Sequence, residues 1–221
     1  MTRHLDREID RLKEAVLGLS ALVEESVYRA IRAVEEGDAK LAQQVIDEDT
    51  VIDQREVVVE EECLKIFALY QPVAIDLRFL VAILKLNSDL ERIGDLSVNI
   101  ASRALRLAAL PRPAGSIDFG AMYAQAKAML RGALEALVEL DTKRAMEVIR
   151  SDEVLDDANR LNFRTIKDLI RTNSADTDAL LHYLSVSRNL ERIGDHCTNI
   201  AEDVLYMMEG KIVRHRLEGA W

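Results

Sequence analysis

The chain has 221 residues, 49% of them hydrophobic and 31% charged, which is a globular rather than a disordered composition. Its formal net charge of −10 repels phosphate backbones, arguing against nucleic acid, and makes an anionic membrane a poor partner unless the charge is segregated. The two cysteines provide neither a disulfide framework nor a paired zinc spacing, which fits a reduced, cytoplasmic compartment.

Only 3 prolines, 9 glycines and 5% aromatics point to long helices with few turns. No signal peptide is expected where Arg3, His4, Asp6 and Arg7 crowd the start. The longest apolar run, Phe79 to Leu84, is too short to span a bilayer, so a soluble protein is expected.

The first helix shows apolar residues at Leu5, Ile9, Leu12, Val16, Leu19, Val23, Val27, Ala30 and Val34, one stripe in steps of three and four. Gly37-Asp38 ends it and caps the second helix, which runs from about Asp38 to Tyr70 and is broken by Gln71-Pro72. A third helix begins near Pro72, where proline suits a first turn, and continues to about Ala109. Pro111 to Ser116 is the strongest punctuation and divides the chain almost in half. Met122, Met129, Ala133 and Leu137 mark a fourth helix ending near Leu140, with Asp141 capping a fifth that reaches about Arg171. Asn173-Ser174 is read as a turn, and a sixth helix spans roughly Asp176 to Glu209, before Gly210. Short turns make neighbouring helices antiparallel. The expected fold is all-α: two tandem, pseudo-symmetric three-helix bundles, residues 1–110 and 116–221, built from six long antiparallel helices.

The halves repeat. Leu90 to Asp95 recurs unchanged as Leu190 to Asp195, and Asn99-Ile100-Ala101 as Asn199-Ile200-Ala201, displaced by 100 residues. Upstream, Val45-Ile46, Asp49 and Asp53 return as Val148-Ile149, Asp152 and Asp156, displaced by 103. The difference falls between helices two and three of each half, where a turn absorbs it. Two aligned segments in the same order indicate a duplicated three-helix unit.

Each unit carries carboxylates at positions where core residues are expected. Glu91 and Asp95, four residues apart, share a helix face, and Asn99 extends the row. The row Leu77, Leu84, Glu91, Val98 and Leu105 steps by seven and reads as a packing seam with Glu91 in it. On the second helix Val45, Asp49, Ile52, Glu56, Val59, Cys63 and Ile66 form a stripe that Asp49 interrupts, with Asp53 one turn on. Val148, Asp152, Leu155, Asn159 and Ile166 repeat it on the fifth helix, opposite Glu191, Asp195 and Asn199 on the sixth.

If these helices pack antiparallel, four carboxylates meet in each half, and like charges so close need compensation. A metal cluster supplies it. Oxygen-only ligands favour Mg, Ca, Mn or ferric iron over soft-ligand metals, and the cofactor expected is an oxygen-ligated Fe, Mn, Mg or Zn ion. Gly94 and Gly194 then let a backbone or the ion cluster come close, at about 1 kcal/mol of helix propensity. The competing reading is a set of intrahelical salt bridges on Arg92 and Arg192.

A metal-dependent hydrolase or a ferritin-like redox enzyme is the alternative. Ferritin-like sites need E-x-x-H, and the third residue after Glu91 or Glu191 is glycine. His196 has Leu96 as its counterpart, and Cys197 falls in an apolar stripe with Leu190, Ile193 and Val204, which suits a core cysteine. With no nucleophile–base pair evident and no Gly-rich phosphate loop, a non-enzymatic role is favoured.

These residues resemble the PhoU family of regulators of bacterial phosphate uptake. The resemblance rests on the signature Leu90 to Ala101, repeated at Leu190 to Ala201, on Tyr70 to Arg78, and on the closing Glu209 to His215. It covers essentially the whole chain. It implies a cytoplasmic homodimer acting on the phosphate ABC transporter and its sensor histidine kinase, restraining the phosphate-starvation response when phosphate is plentiful. Family metal sites carry over onto Asp49, Asp53, Glu91 and Asp95, and onto Asp152, Asp156, Glu191 and Asp195, with Asn99, Asn199, Arg92 and Arg192 in support. The second half departs from the family's P-V-A-x-D-L-R segment, reading Asn173 to Ala179 instead.

Overall fold

The structure, a computed structural model, describes residues 2–113, 115 and 117–210. They form six helices: α1 (Thr2–Glu36), α2 (Ala39–Tyr70), α3 (Ala74–Ala108), α4 (Gly120–Glu139), α5 (Thr142–Thr172) and α6 (Thr177–Glu209). Part of the Pro111–Ser116 punctuation, and the Glu209–His215 motif beyond Gly210, lie outside the described residues.

Local chemistry sets most boundaries. Gly37 adopts a φ of +71°, and the Asp38 carboxylate accepts the backbone N–H groups of Lys40 and Leu41 at 2.9 and 3.0 Å. Asp141 does the same for Lys143 and Arg144 at 2.9 and 3.1 Å, 103 residues on. Gly210 closes α6 at a φ of +70°.

One boundary differs from the sequence reading, the start of α3, while the turn expected at Asn173-Ser174 is found. Helix α3 starts at Ala74, because extended Val73 precedes it and Pro72 is buried outside the helix. The residue before a proline is pushed out of the α region, and here Gln71 goes left-handed at a φ of 46°. Between α5 and α6 the chain makes a 3-10 turn, Ser174–Asp176. The Asn173 side chain accepts the Ala175 N–H, and the Thr177 hydroxyl donates to the Ser174 carbonyl at 2.7 Å.

Helices α3 and α6 lie against each other at the centre, with α1 and α2 on the flank of α3, and α4 and α5 on that of α6. Because α3 packs on α1, α2 and α6 at once, its buried arc is wider than a coiled-coil seam. Leu80, Ile83, Leu90, Ile93, Ile100 and Ala104 are fully buried. The heptad row of Leu77, Leu84, Glu91, Val98 and Leu105 is therefore not the seam: Leu77 is exposed and the other four are half-buried. Glu91 stands at the rim of the core. On α2 and α5 the stripe falls where the sequence put it, with Val45, Ile52, Val59, Val148 and Leu155 buried and Asp49 and Asp152 half-buried among them.

Polar ties cross between the halves. Lys85 meets the buried carboxylate of Asp203 at 3.0 Å, and Lys127 and Arg131 of α4 hold Glu24 of α1 at 2.8 and 2.6 Å. The two three-helix units share one continuous core.

Candidate metal centre

In the first half, Asp49 and Asp53 of α2 face Glu91 and Asp95 of α3. Burial, followed by the charges of Asp53, Asp95 and Glu91, pushes the Asp49 carboxyl up to about 6. Glu91 is raised in turn by burial and by Asp95, against the opposing pull of Arg92.

The second half repeats this arrangement. Asp152 of α5 is pushed up to about 6 by burial, followed by the charges of Asp195, Asp156 and Glu191. Partial burial raises Glu191 and Asp195 as well, and Asp156 adds to both. Eight acidic groups anticipated from sequence thus gather as two sets of four, each across one helix pair.

Glycine makes the approach possible. A Cβ on Gly194 would lie 2.7 Å from Leu155 Cδ1 and 2.9 Å from Asp152 Oδ1. One on Gly94 would lie 3.2 Å from Ile52 Cγ2 and 3.7 Å from Asp49 Oδ1. An aspartate of one helix therefore rests against the glycine backbone of the next, closely in the second half and less so in the first.

Salt bridges account for part of the pattern. Arg92 reaches Asp95 at 3.2 Å and Glu91 at 3.5 Å, and Arg160 reaches Asp156 at 3.4 Å. Arg92 and Arg160 are exposed, and such pairs contribute little. Arg192 makes no ion pair among the described residues, Asn99 is exposed, and Asp49 and Asp152 have no cationic partner there either.

The residues fit a cation in chemistry. The donor set is all oxygen, burial and neighbouring carboxylates raise Asp49, Glu91, Asp152, Glu191 and Asp195, and the buried Asp152 Oδ1 has no hydrogen-bond partner among the described residues. They do not form a finished cage: among the described residues no three His, Cys, Asp or Glu side chains are arranged as a ready ligand set.

Several polar residues around the clusters escaped the sequence reading. Asn87 donates to the Glu56 backbone carbonyl and to Glu56 Oε1, both at 2.9 Å, and Glu56 is raised by burial and by the charges of Glu60, Glu91 and Asp53. The corresponding pair in the second half is Ser187 and Asn159, 2.9 Å apart, so that half has an uncharged amide in place of a fifth acid. His196, set aside because its counterpart is Leu96, pairs through Nδ1 with Asp89 Oδ1 at 2.8 Å across the α3–α6 interface, and Asn199 Nδ2 donates to the same oxygen at 3.4 Å. The signal for Asp89 was available, since its counterpart Asn189 breaks the repeat where Leu96 and His196 also diverge. Cys197 is fully buried, and burial pushes its thiol above the ordinary range, as a core cysteine requires.

Comparison with known proteins places this geometry in a family. The PhoU domain model matches residues 16–104 and 119–204, one copy per half. The chain is 34% identical over 217 residues to a phosphate-specific transport system accessory protein PhoU homolog 1 of Thermotoga maritima, covering 98% of this chain and 94% of that protein. It is 36% identical over 220 residues to a PhoU homolog of the same description from Pseudomonas putida, covering 97% and 86%. Among solved structures, PhoU from Pseudomonas aeruginosa superposes with a TM-score of 0.88 at 33% identity over 93% of this chain and 99% of that one. The phosphate transport system regulatory protein PhoU from Streptococcus pneumoniae gives 0.87 at 28% identity over 95% and 99%.

Proposed function

This chain belongs to the PhoU family, and from that premise we propose that it is a regulatory accessory protein of a phosphate transport system. In this reading it acts without catalysing a reaction, as a cytoplasmic homodimer that docks on the ATPase of the phosphate ABC transporter and on the phosphate sensor histidine kinase. It restrains the phosphate-starvation response while phosphate is plentiful. The observation that carries the proposal is the paired match, which spans both halves and includes both acidic clusters. No helix among the described residues is long and apolar enough to cross a membrane, which agrees with a protein working beside a transporter rather than within the bilayer.

The clusters would hold cations through Asp49, Asp53, Glu91 and Asp95, and through Asp152, Asp156, Glu191 and Asp195. A bound ion supplies the positive charge that lets these carboxylates stay ionised together. The chain's own part is to hold α2 against α3, and α5 against α6, at the distance the glycines permit. Cys197 is fully buried and its thiol is raised by burial, so it does not stand ready as a nucleophile, which favours a regulator over a hydrolase.

Two experiments test the proposal. Pull-down with the transporter's ATPase subunit and with the kinase's cytoplasmic domain should retain the protein on at least one, and retention on neither removes the support for an adaptor. Elemental analysis should find a stoichiometric metal that drops in Glu91→Ala and in Glu191→Ala. Negligible metal in all three proteins refutes the ion-binding part alone.

A further inference from the structure

Beyond the acidic clusters, the surface carries a groove of the opposite sign. A cavity of about 590 Å³ between α5 and α6 is lined by Arg160, Phe163, Arg164, Lys167, Leu184 and Arg188, and no acidic residue contributes to it. Arg160 is engaged by Glu153, Asp156 and Asp157 of its own helix. Arg164, Lys167 and Arg188 form no ion pair among the described residues, in a chain of net charge −10. Beside them Phe163 remains 53% exposed and Leu161, one turn from Arg164, 62%.

The duplication shows that the fold does not require this chemistry. The matching positions in the first half are Val57, Glu60, Glu61, Leu64, Leu84 and Ser88. The same backbone there carries glutamates where the second half carries Phe163 and Arg164, and leucine where it carries Lys167. Since either set supports a three-helix unit, the basic, aromatic lining serves something other than folding.

We propose that this α5–α6 groove is a docking site for an acidic polypeptide segment bearing an apolar side chain. The groove adjoins the second carboxylate cluster, since Arg160 pairs with Asp156 and Arg188 lies one turn from Glu191, but no cluster carboxylate lines it and its occupation does not require a metal there. Charge complementarity selects an anionic occupant, with three cations that form no ion pair among the described residues in a chain of net charge −10. The lining also favours a chain over a small anion. The cations of α5 are spread from residue 160 to residue 167, roughly 10 Å along the helix axis, a spacing for successive carboxylates rather than one phosphate. Phe163 and Leu184 offer an apolar seat between them. A bilayer fits less well, because the charges line a concavity and Asp157 and Asp168 break up the outer face of α5.

The test uses the full-length protein and a fluorescein-labelled dodecapeptide of glutamate and leucine, followed by anisotropy, with a lysine-for-glutamate peptide as control. The acidic peptide should bind, weaken as salt rises, and lose at least about tenfold in affinity in Arg164→Glu/Lys167→Glu, both surface positions. Glu60→Lys/Glu61→Lys, at the matching face of the first half, should leave binding unchanged. Circular dichroism and metal content unaltered in both variants keep the result apart from the fate of the clusters. Absent binding, or equal affinity in the Arg164→Glu/Lys167→Glu variant, overturns the proposal. Binding of phosphatidylglycerol vesicles in place of the peptide overturns it in favour of a lipid surface. Self-association abolished by the same double variant overturns it in favour of a second copy.

Discussion

Asp49 and Asp152 each sit where a helix seam asks for an apolar side chain, and each holds its proton more tightly in the folded chain than the ordinary value of 3.8 implies. Folding therefore takes up protons between about 4 and about 6. In the metal-free protein, stability should be greatest below that window and should decline as pH rises through it. Thermal melting across the window checks the sign, and a slope that rises with pH contradicts the assignment. At neutral pH, Asp152→Asn should stabilise the metal-free protein by relieving repulsion, while lowering its metal content. Cation binding should raise the melting temperature of the parent protein, by the equivalent of about 2.7 kcal/mol at a hundred times the dissociation constant. His196→Leu, which copies Leu96, should cost about 1 kcal/mol through the lost bond to Asp89, readable by denaturant titration.

Among the helices, three glycines that look alike in sequence separate by what surrounds them. Gly18 of α1 is exposed and a Cβ there meets nothing within 4 Å, so Gly18→Ala should stabilise the protein by about 0.5–1 kcal/mol. At Gly94 the helix gain is offset by contact with Ile52, 3.2 Å away. At Gly194 the new methyl group runs into both Leu155 and Asp152, so Gly194→Ala should destabilise α6 packing despite its higher propensity and should disturb the second cluster first. Chemical denaturation of the three variants gives the order directly: Gly18→Ala most stable, then Gly94→Ala, then Gly194→Ala.

At the scale of the molecule, the duplicated units are joined along α3 and α6 and through the Lys85–Asp203 pair, whose carboxylate is almost wholly buried. Unfolding should therefore be a single transition seen alike by circular dichroism and by a probe in either half. Asp203→Ala should lower stability by about 1–3 kcal/mol by leaving Lys85 half-buried without its acceptor. Two well-separated transitions would show the halves to be independent bundles.

The sequence by itself determined the six helices, the duplication, the caps at Asp38 and Asp141, and the eight carboxylates, because period, turn residues and repetition are local properties of a chain. It also marked Gly94 and Gly194 as positions of close approach. It misplaced the seam of α3: a heptad row predicts which residues face one partner, whereas α3 has three, and the burial that results moved Glu91 from the core to its rim. The start of α3 was likewise set by the backbone on either side of Pro72 rather than by the proline's own preference for a first turn. The bond between Asp89 and His196 joins residues 107 positions apart and could be known only once α3 and α6 were seen side by side. Tertiary structure alone decided that Arg160, Arg164, Lys167 and Arg188 line one groove, because side chains of α5 and α6 meet only where the two helices pack.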